Sequence, residues 1–199
     1  MAKLKLTKNE QKKQKDSLKR FERYLPTLML KKQQLQAEIR SVEIRINELK
    51  KIKERAEESL KKWVAVFGEE GVFTPDIVRI TKMKTGEGNV AGVTIPIFAG
   101  AEFVTAEYDL IDKPLWLDHA VANMKKALLL DLEVQCMEEQ QRRLRKELQT
   151  TSQRVNLFEK IKIPEAKANI KKIGVYLGDQ QTAAVVRGKI SKRGMENTD

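Results

Sequence analysis

The chain has 199 residues and a mass of 22.9 kDa, with 39 Lys and Arg against 28 Asp and Glu, a formal net charge of +11 and a pI near 9.6. One cysteine, Cys136, and one histidine, His119, exclude an intrachain disulfide and leave too few soft ligands for a zinc site. The longest uncharged run, Gly88 to Ala101, is 14 residues, and a spanning helix needs about 20. The opening Met-Ala-Lys-Leu-Lys-Leu-Thr-Lys lacks the apolar core of a secretory signal, so the expectation is a cytoplasmic protein with no direct membrane insertion.

Gly and Pro number 15, and nine of them fall between Gly68 and Pro114. Punctuation confined to the middle divides the chain into an N-terminal arm (1–67), a middle segment (68–118) and a C-terminal arm (119–199). Basic excess follows the arms: 1–70 carries +8, 71–118 carries −3 and 119–199 carries +6.

In the first arm a 3-4 spacing runs through Leu18, Phe21, Leu25, Leu28, Lys32, Leu35, Ile39, Val42, Ile46, Leu49, Lys53, Ala56, Leu60, Trp63 and Phe67. Only Lys32 and Lys53 interrupt its apolar character. A stripe repeating every 3.5 residues stays on one helix face only by supercoiling about a partner. The residues between are mostly Lys, Arg, Glu and Gln, good helix formers that keep the outer face wet. Charges within a seam cost stability, and their best-attested use is to set register or partner choice. Lys32 and Lys53 therefore either bury their stems while the ammonium reaches water or mark where another protein of an assembly docks.

The middle segment contains two short β-branched runs, Ile77 to Lys84 and Val93 to Phe98, joined by eight residues, Thr85 to Gly92. That pattern predicts a β-hairpin over about 77–98. Within it, Gly86-Glu87-Gly88-Asn89-Val90-Ala91 imitates a dinucleotide-binding loop, but Val93-Thr94-Ile95-Pro96-Ile97 cannot open the phosphate-facing helix that mechanism requires. The run reads as turn chemistry. No cofactor-binding signature remains.

The C-terminal arm restores the seam at Ala127, Leu130, Val134, Met137, Gln141, Leu144, Leu148, Thr151, Val155 and Phe158, and resumes it beyond Pro164 at Ala166, Ile170, Ile173 and Leu177. Pro26 and Pro164 lie inside these helical patterns and are read as kinks. His119 beside Asp118 is read as a helix-start residue and Cys136 as an ordinary helix residue; neither is assigned chemistry. Two long seams in one chain close most readily on each other. The expected fold is mainly α: a long antiparallel two-helix coiled coil formed by the N- and C-terminal arms, with a small mid-chain hairpin. A body this narrow has no room for a deep pocket, which disfavours an enzyme and assigns no catalytic or metal-binding residue.

Charges interleaved with Glu and Asp at helical spacing also disfavour nucleic-acid binding. The terminal cluster Arg187, Lys189, Lys192 and Arg193 is basic with little acid, which suits contact with an acidic protein surface. On the residues alone, a stand-alone coiled-coil adaptor and a basic nucleic-acid-associated coiled coil stay open as alternatives.

Leu6-Thr7-Lys8, Leu18-Lys19, Leu35, the run Arg154-Val155-Asn156-Leu157-Phe158-Glu159 leading into Ile163-Pro164, and the Lys189-Ile190-Ser191-Lys192 tail together give a sequence that resembles the D subunits of the V-type and archaeal-type rotary ATPases. The Arg154, Val155, Asn156, Glu159 and Pro164 pattern is the most specific part. The resemblance implies a non-catalytic central rotor shaft without a cofactor. It implies as partners the catalytic and nucleotide-binding A and B subunits of the head, the small F subunit of the central stalk, and a socket subunit above the membrane ring. It also implies that the tail from Arg187 to Arg193 contacts the head.

Overall fold

The protein, described here from a computed structural model, has the element order α1 (Lys8–Lys61), β1 (Val78–Val90), β2 (Val93–Thr105), α2 (Trp116–Asn156), a π-helical turn (Leu157–Lys162) and α3 (Ile163–Glu196). The structure describes residues 4–61, 77–106 and 116–196. The seam positions Trp63 and Phe67, and the side chain of Leu60, lie outside the described residues.

Thr7 starts α1. Its hydroxyl accepts a hydrogen bond from the Glu10 N–H at 3.2 Å, and its carbonyl accepts from the Gln11 N–H at 3.0 Å. Thr-Lys-Asn-Glu has the spacing of a capping box, which satisfies donors the first turn would otherwise leave unpaired. The helix then runs for 54 residues and stays helical through Pro26.

The chain forms two compact units, one made of residues 1–32 with 150–199, the other of residues 33–149. In the second unit the predicted seam is the core: Leu35, Ile39, Val42, Ile46 and Leu49 of α1 are buried, as are Val134 and Leu144 of α2. Each such aliphatic side chain is worth roughly 1.5–3 kcal/mol when withdrawn from water. Flanking the seam, Glu43–Arg145 at 2.7 Å, Lys50–Glu138 at 2.7 Å and Lys53–Asp131 at 2.6 Å pair residues that ascend along α1 with residues that descend along α2, so the helices are antiparallel.

The unit of residues 1–32 and 150–199 repeats that arrangement. Val155, Ala166 and Ile173 are buried, Phe21 and Phe158 stack tilted with centroids 5.1 Å apart, and Glu22 meets Lys167 at 3.2 Å. The stacked rings add about 0.5–1.5 kcal/mol beyond their burial.

Two features differ from the sequence expectation. The hairpin is longer, with β1 continuing to Val90 and β2 to Thr105, and the supposed eight-residue connection is a two-residue turn. Gly86 and Gly88 do not form the turn; they pair with Ile97 and Ile95 inside the ladder. A Cβ on Gly88 would sit 2.7 Å from Ile97 Cδ1, so the missing side chain makes room for an isoleucine of the opposite strand. The turn itself is Ala91-Gly92, with φ of 50° and 78°. Two positive φ values match the twist of a hairpin, and the Asn89 side-chain oxygen accepts from the Gly92 N–H at 3.0 Å. Thus the dinucleotide-like run is strand and turn, and opens no helix.

The second difference is at Pro164. Just before it the helix takes a π-helical turn, Leu157–Lys162, which the sequence did not lead one to expect and in which the Ile163 N–H reaches back five residues to the Phe158 carbonyl. Seam spacing explains it. From Phe158 to Ala166 is eight residues, one more than a heptad, and a π-turn holds one extra residue without rotating the seam off its partner. Pro164 follows directly and lacks the N–H that a regular α-helix would aim at Lys160.

Removing Ile161 together with Pro164→Ala should therefore yield an uninterrupted α-helix with a regular heptad. Circular dichroism should show unchanged or higher helix content and no loss of thermal stability; a collapse of helicity would contradict the register account.

Candidate functional site

The hairpin is held along α2 by a second buried face that the heptad reading misses. At its base, Ile77 and Val78 form a cluster with Leu117 and Val121, and Phe103, Trp116, Met124 and Leu128 pack against it. Near the turn, Ile95 enters the cluster of Leu35, Ile39, Val42, Ile46 and Leu144, with Val90, Ala91 and Val93 packed against it. The dimensions agree: β1 from Val78 to Val90 extends roughly 40 Å, and α2 from Val121 to Leu144 roughly 35 Å.

Between those clusters the contact is polar. Counting outward from the two-residue turn, Thr94 and Pro96 occupy positions whose carbonyls point away from β1. Both are met by α2. Gln140 Nε2 donates to the Pro96 carbonyl at 2.6 Å, Cys136 Sγ at 3.6 Å donates to the same oxygen, and Arg143 donates to the Thr94 carbonyl at 3.3 Å. Pro96 suits this outer edge because it has no N–H to leave unpaired. Gln140 is 7% exposed and Cys136 2%. Burial pushes the Cys136 thiol up from its ordinary pKa, which keeps it protonated and unreactive.

Sequence reasoning placed Cys136 correctly in the helix but not under a strand, and it did not single out Gln140. A signal was present: Leu128, Leu132, Cys136 and Gln140 recur every four residues beside the seam, and Leu128-Leu129-Leu130 makes α2 apolar on more than one side.

Lys53 is half-buried, and its ammonium lies 2.6 Å from Asp131 Oδ1 and 3.8 Å from Glu57. The hydrogen bond to Asp131 raises its pKa against the opposing effect of desolvation. Asp131 is itself oriented, since its other oxygen accepts from Gln135 at 2.9 Å. The seam charge thus has a partner on α2. Lys32 is half-buried at its seam position.

The Arg154, Val155, Asn156, Glu159 and Pro164 motif brackets the π-turn. Val155 points into the seam and is buried, whereas Arg154, Asn156, Glu159 and Pro164 are not, and they lie beside exposed Leu157 and Ile161. Lys189, Lys192 and Arg193 of the tail line one shallow depression with Val186 and Ile190. Arg187 is exposed nearby in sequence but does not line it. Arg142 and Arg143 both donate to Glu139 and hold its carboxyl down to about 2 from 4.5. Being a depressed carboxylate, this group contributes stability above its ordinary pKa and loses that contribution as pH falls toward about 2. His119 is exposed in the first turn of α2.

Among the described residues, no three side chains converge as a metal site, and no helix is long and apolar enough to cross a membrane. What this arrangement offers is surface: an antiparallel helix pair, a strapped hairpin, an exposed π-turn and a basic tail.

Gln140→Ala should leave the Pro96 carbonyl only the weak Cys136 thiol donor and loosen the hairpin. The measurement is the rate of Cys136 modification by a thiol reagent under native conditions: at least about tenfold faster than in the parent if about 1.4 kcal/mol of docking is lost, and unchanged if Gln140 does not hold the hairpin.

A family model for the D subunit of ATP synthase matches residues 10–193. The D subunit of the V-type ATP synthase of Borreliella burgdorferi is 50% identical over 194 residues, covering 96% of this chain and 95% of that protein. The proteins of the same description from Chlamydia muridarum and Chlamydia caviae are 34% and 33% identical over 197 and 193 residues; each match covers 96% of this chain, and 95% and 92% of the respective relative.

Proposed function

The chain belongs to the D-subunit family of ATP synthases, and from that membership we propose that it is the non-catalytic central-stalk rotor of a V-type or archaeal-type ATPase. It would carry torque between ATP hydrolysis or synthesis in the head and ion translocation in the membrane ring. The observation that carries this reading is identity of 50% along 96% of the chain to the D subunit of a V-type ATP synthase, in a protein whose seam residues pair antiparallel.

In this reading the arms 1–67 and 119–199 form the shaft and the segment 68–118 carries the hairpin. The A and B subunits of the head meet the part that holds both termini, with Arg187, Lys189, Lys192 and Arg193 in contact. The exposed residues of the 154–164 motif, and the positions of Lys32 and Lys53, are offered to partners, among them the small F subunit and the socket subunit. The protein acts at the cytoplasmic side as a peripheral member of a membrane-bound complex.

The chemistry required of such a rotor is mechanical. A shaft without threefold symmetry, enclosed by three similar catalytic pairs, touches each pair differently. It biases them toward different nucleotide states to the extent that its contacts differ in free energy among those states. Interlocked seams supply stiffness, while a surface of flexible Lys and Arg lets contacts exchange as the shaft turns.

The test is isolation of the tagged chain from native membranes and identification of its companions by mass. Two ATPase-type subunits and a small companion should co-purify, and the purified chain alone should hydrolyse no ATP. Recovery of the chain without ATPase subunits, or turnover by the pure chain, would contradict the proposal. Lys53→Leu, checked by circular dichroism for the parent's helix content, should lower the yield of the assembled complex; an undiminished yield with every partner present would remove that position from the docking surface.

A further inference from the structure

The basic excess is not shared by the two compact units. Residues 1–32 with 150–199 carry 21 basic and 8 acidic side chains, a net +13, whereas residues 33–149 carry 18 and 20, a net −2. The arms look evenly basic along the sequence because each contributes to both units. Folding brings the positive parts of both arms together and leaves the balanced parts together elsewhere.

The charge lies on the surface. Lys12, Lys13, Lys19, Arg20 and Arg23 on α1, and Lys171 and Lys172 on α3, are all exposed. Acidic residues are scarce there; Glu22 is engaged by Lys167 and Glu165 by Lys162. A net +13 confined to one unit produces a field that extends about one Debye length, roughly 8 Å at physiological salt, beyond the side chains.

The same unit exposes aliphatic side chains. Val175 is 60% exposed, Val185 57% and Ile190 66% on α3, with Leu30 at 56% on α1. For the last turns of α3 the reason is geometric. Gln11 lies against Gly174 and α1 begins at Lys8, so α3 runs on past the start of its partner and Val185, Val186 and Ile190 meet no turn of α1. Aliphatic side chains among cations suit a protein wall, which offers apolar contacts between its carboxylates. Phosphate backbones offer none; the unit also exposes two rings, Tyr24 at 58% and Tyr176 at 40%, on which a base could stack, so the choice of a protein wall rests on the more numerous aliphatic side chains.

We infer that the unit formed by residues 1–32 and 150–199 is a diffuse electropositive docking surface for an acidic protein wall carrying interspersed apolar residues, and that charge on the whole unit, not on the tail alone, drives its capture. This deepens the proposed function and rests on it for the identity of the wall. Diffuse charge steers encounter without fixing register, so it acts on the association rate more than on the lifetime of the complex. Such a surface attracts its partner at every rotational position.

The test uses the full chain and an ATPase head prepared without it. The association rate constant should fall about tenfold or more between about 50 and about 300 mM NaCl. The triple variant Lys12→Glu, Lys19→Glu, Arg23→Glu should lower it about tenfold at low salt, and the triple variant Lys51→Glu, Arg55→Glu, Lys82→Glu, in the other unit, should change it less than about twofold. A second set, Lys171→Glu with Lys172→Glu, guards against local unfolding of α1; circular dichroism confirms that each variant keeps the parent's helix content. Retention on immobilised polyglutamate provides the readout that does not depend on the head. If the head fails to bind while polyglutamate still separates the first triple variant from the second, the rotor reading falls and the surface stands. If neither probe separates them, or if duplex DNA holds the parent to higher salt than the head does, the inference is overturned.

Discussion

Everything in this molecule depends on one constraint: two apolar stripes with the same 3.5-residue period must cover each other, and here they do so within one chain by running antiparallel. Leu35, Ile39, Val42, Ile46 and Leu49 are sheltered by α2, and Val155, Ala166 and Ile173 by α1. Apolar burial is non-directional and would tolerate sliding along the stripe. Direction and register come from the few polar contacts that have a single solution, chiefly Lys53 with Asp131 and Glu43 with Arg145. Each exposed or half-exposed pair is worth no more than about 1 kcal/mol, so their role is to select among pairings of similar hydrophobic energy.

The departures from a plain coiled coil follow from that constraint. The step of eight from Phe158 to Ala166, one more than a heptad, would turn Ile170 and Ile173 away from α1, and the π-turn absorbs the extra residue. The cost is a weaker local hydrogen-bond pattern and two exposed aliphatics, Leu157 and Ile161. The family motif brackets this point, so the most specific stretch of sequence coincides with the least regular stretch of helix. The hairpin obeys the same logic at a different scale. A two-stranded ribbon is marginal alone, and it is stabilised by laying one strand along a second face of α2, where Ile95 enters the seam cluster and Gln140 and Cys136 donate to an edge carbonyl.

Much of this was legible from residue spacing because the heptad period is long-lived: every seam position of α1 from Leu35 to Leu49 is buried where the pattern put it. The hairpin was legible as a hairpin but too short, since Gly86 and Gly88 look like turn residues until Ile95 and Ile97 are seen opposite them. Gln140 was not legible, because a polar residue at a four-residue spacing is indistinguishable from a solvated one until something is known to lie across it. The concentration of charge was hidden for a topological reason: arithmetic along the chain cannot know that 1–32 joins 150–199 and not its own neighbours.

Antiparallel pairing within a single chain is the claim on which the rest stands, and a spin-label distance measurement addresses it directly. With Cys136→Ser, labels at Lys50→Cys and Glu138→Cys replace an ion pair 2.7 Å long, on helices whose axes should be about 8–10 Å apart. The account predicts one narrow, short distance that survives dilution with unlabelled chain. A distance beyond about 40 Å, which is more than about 25 residues of helix, or a short distance that vanishes on dilution, would contradict it.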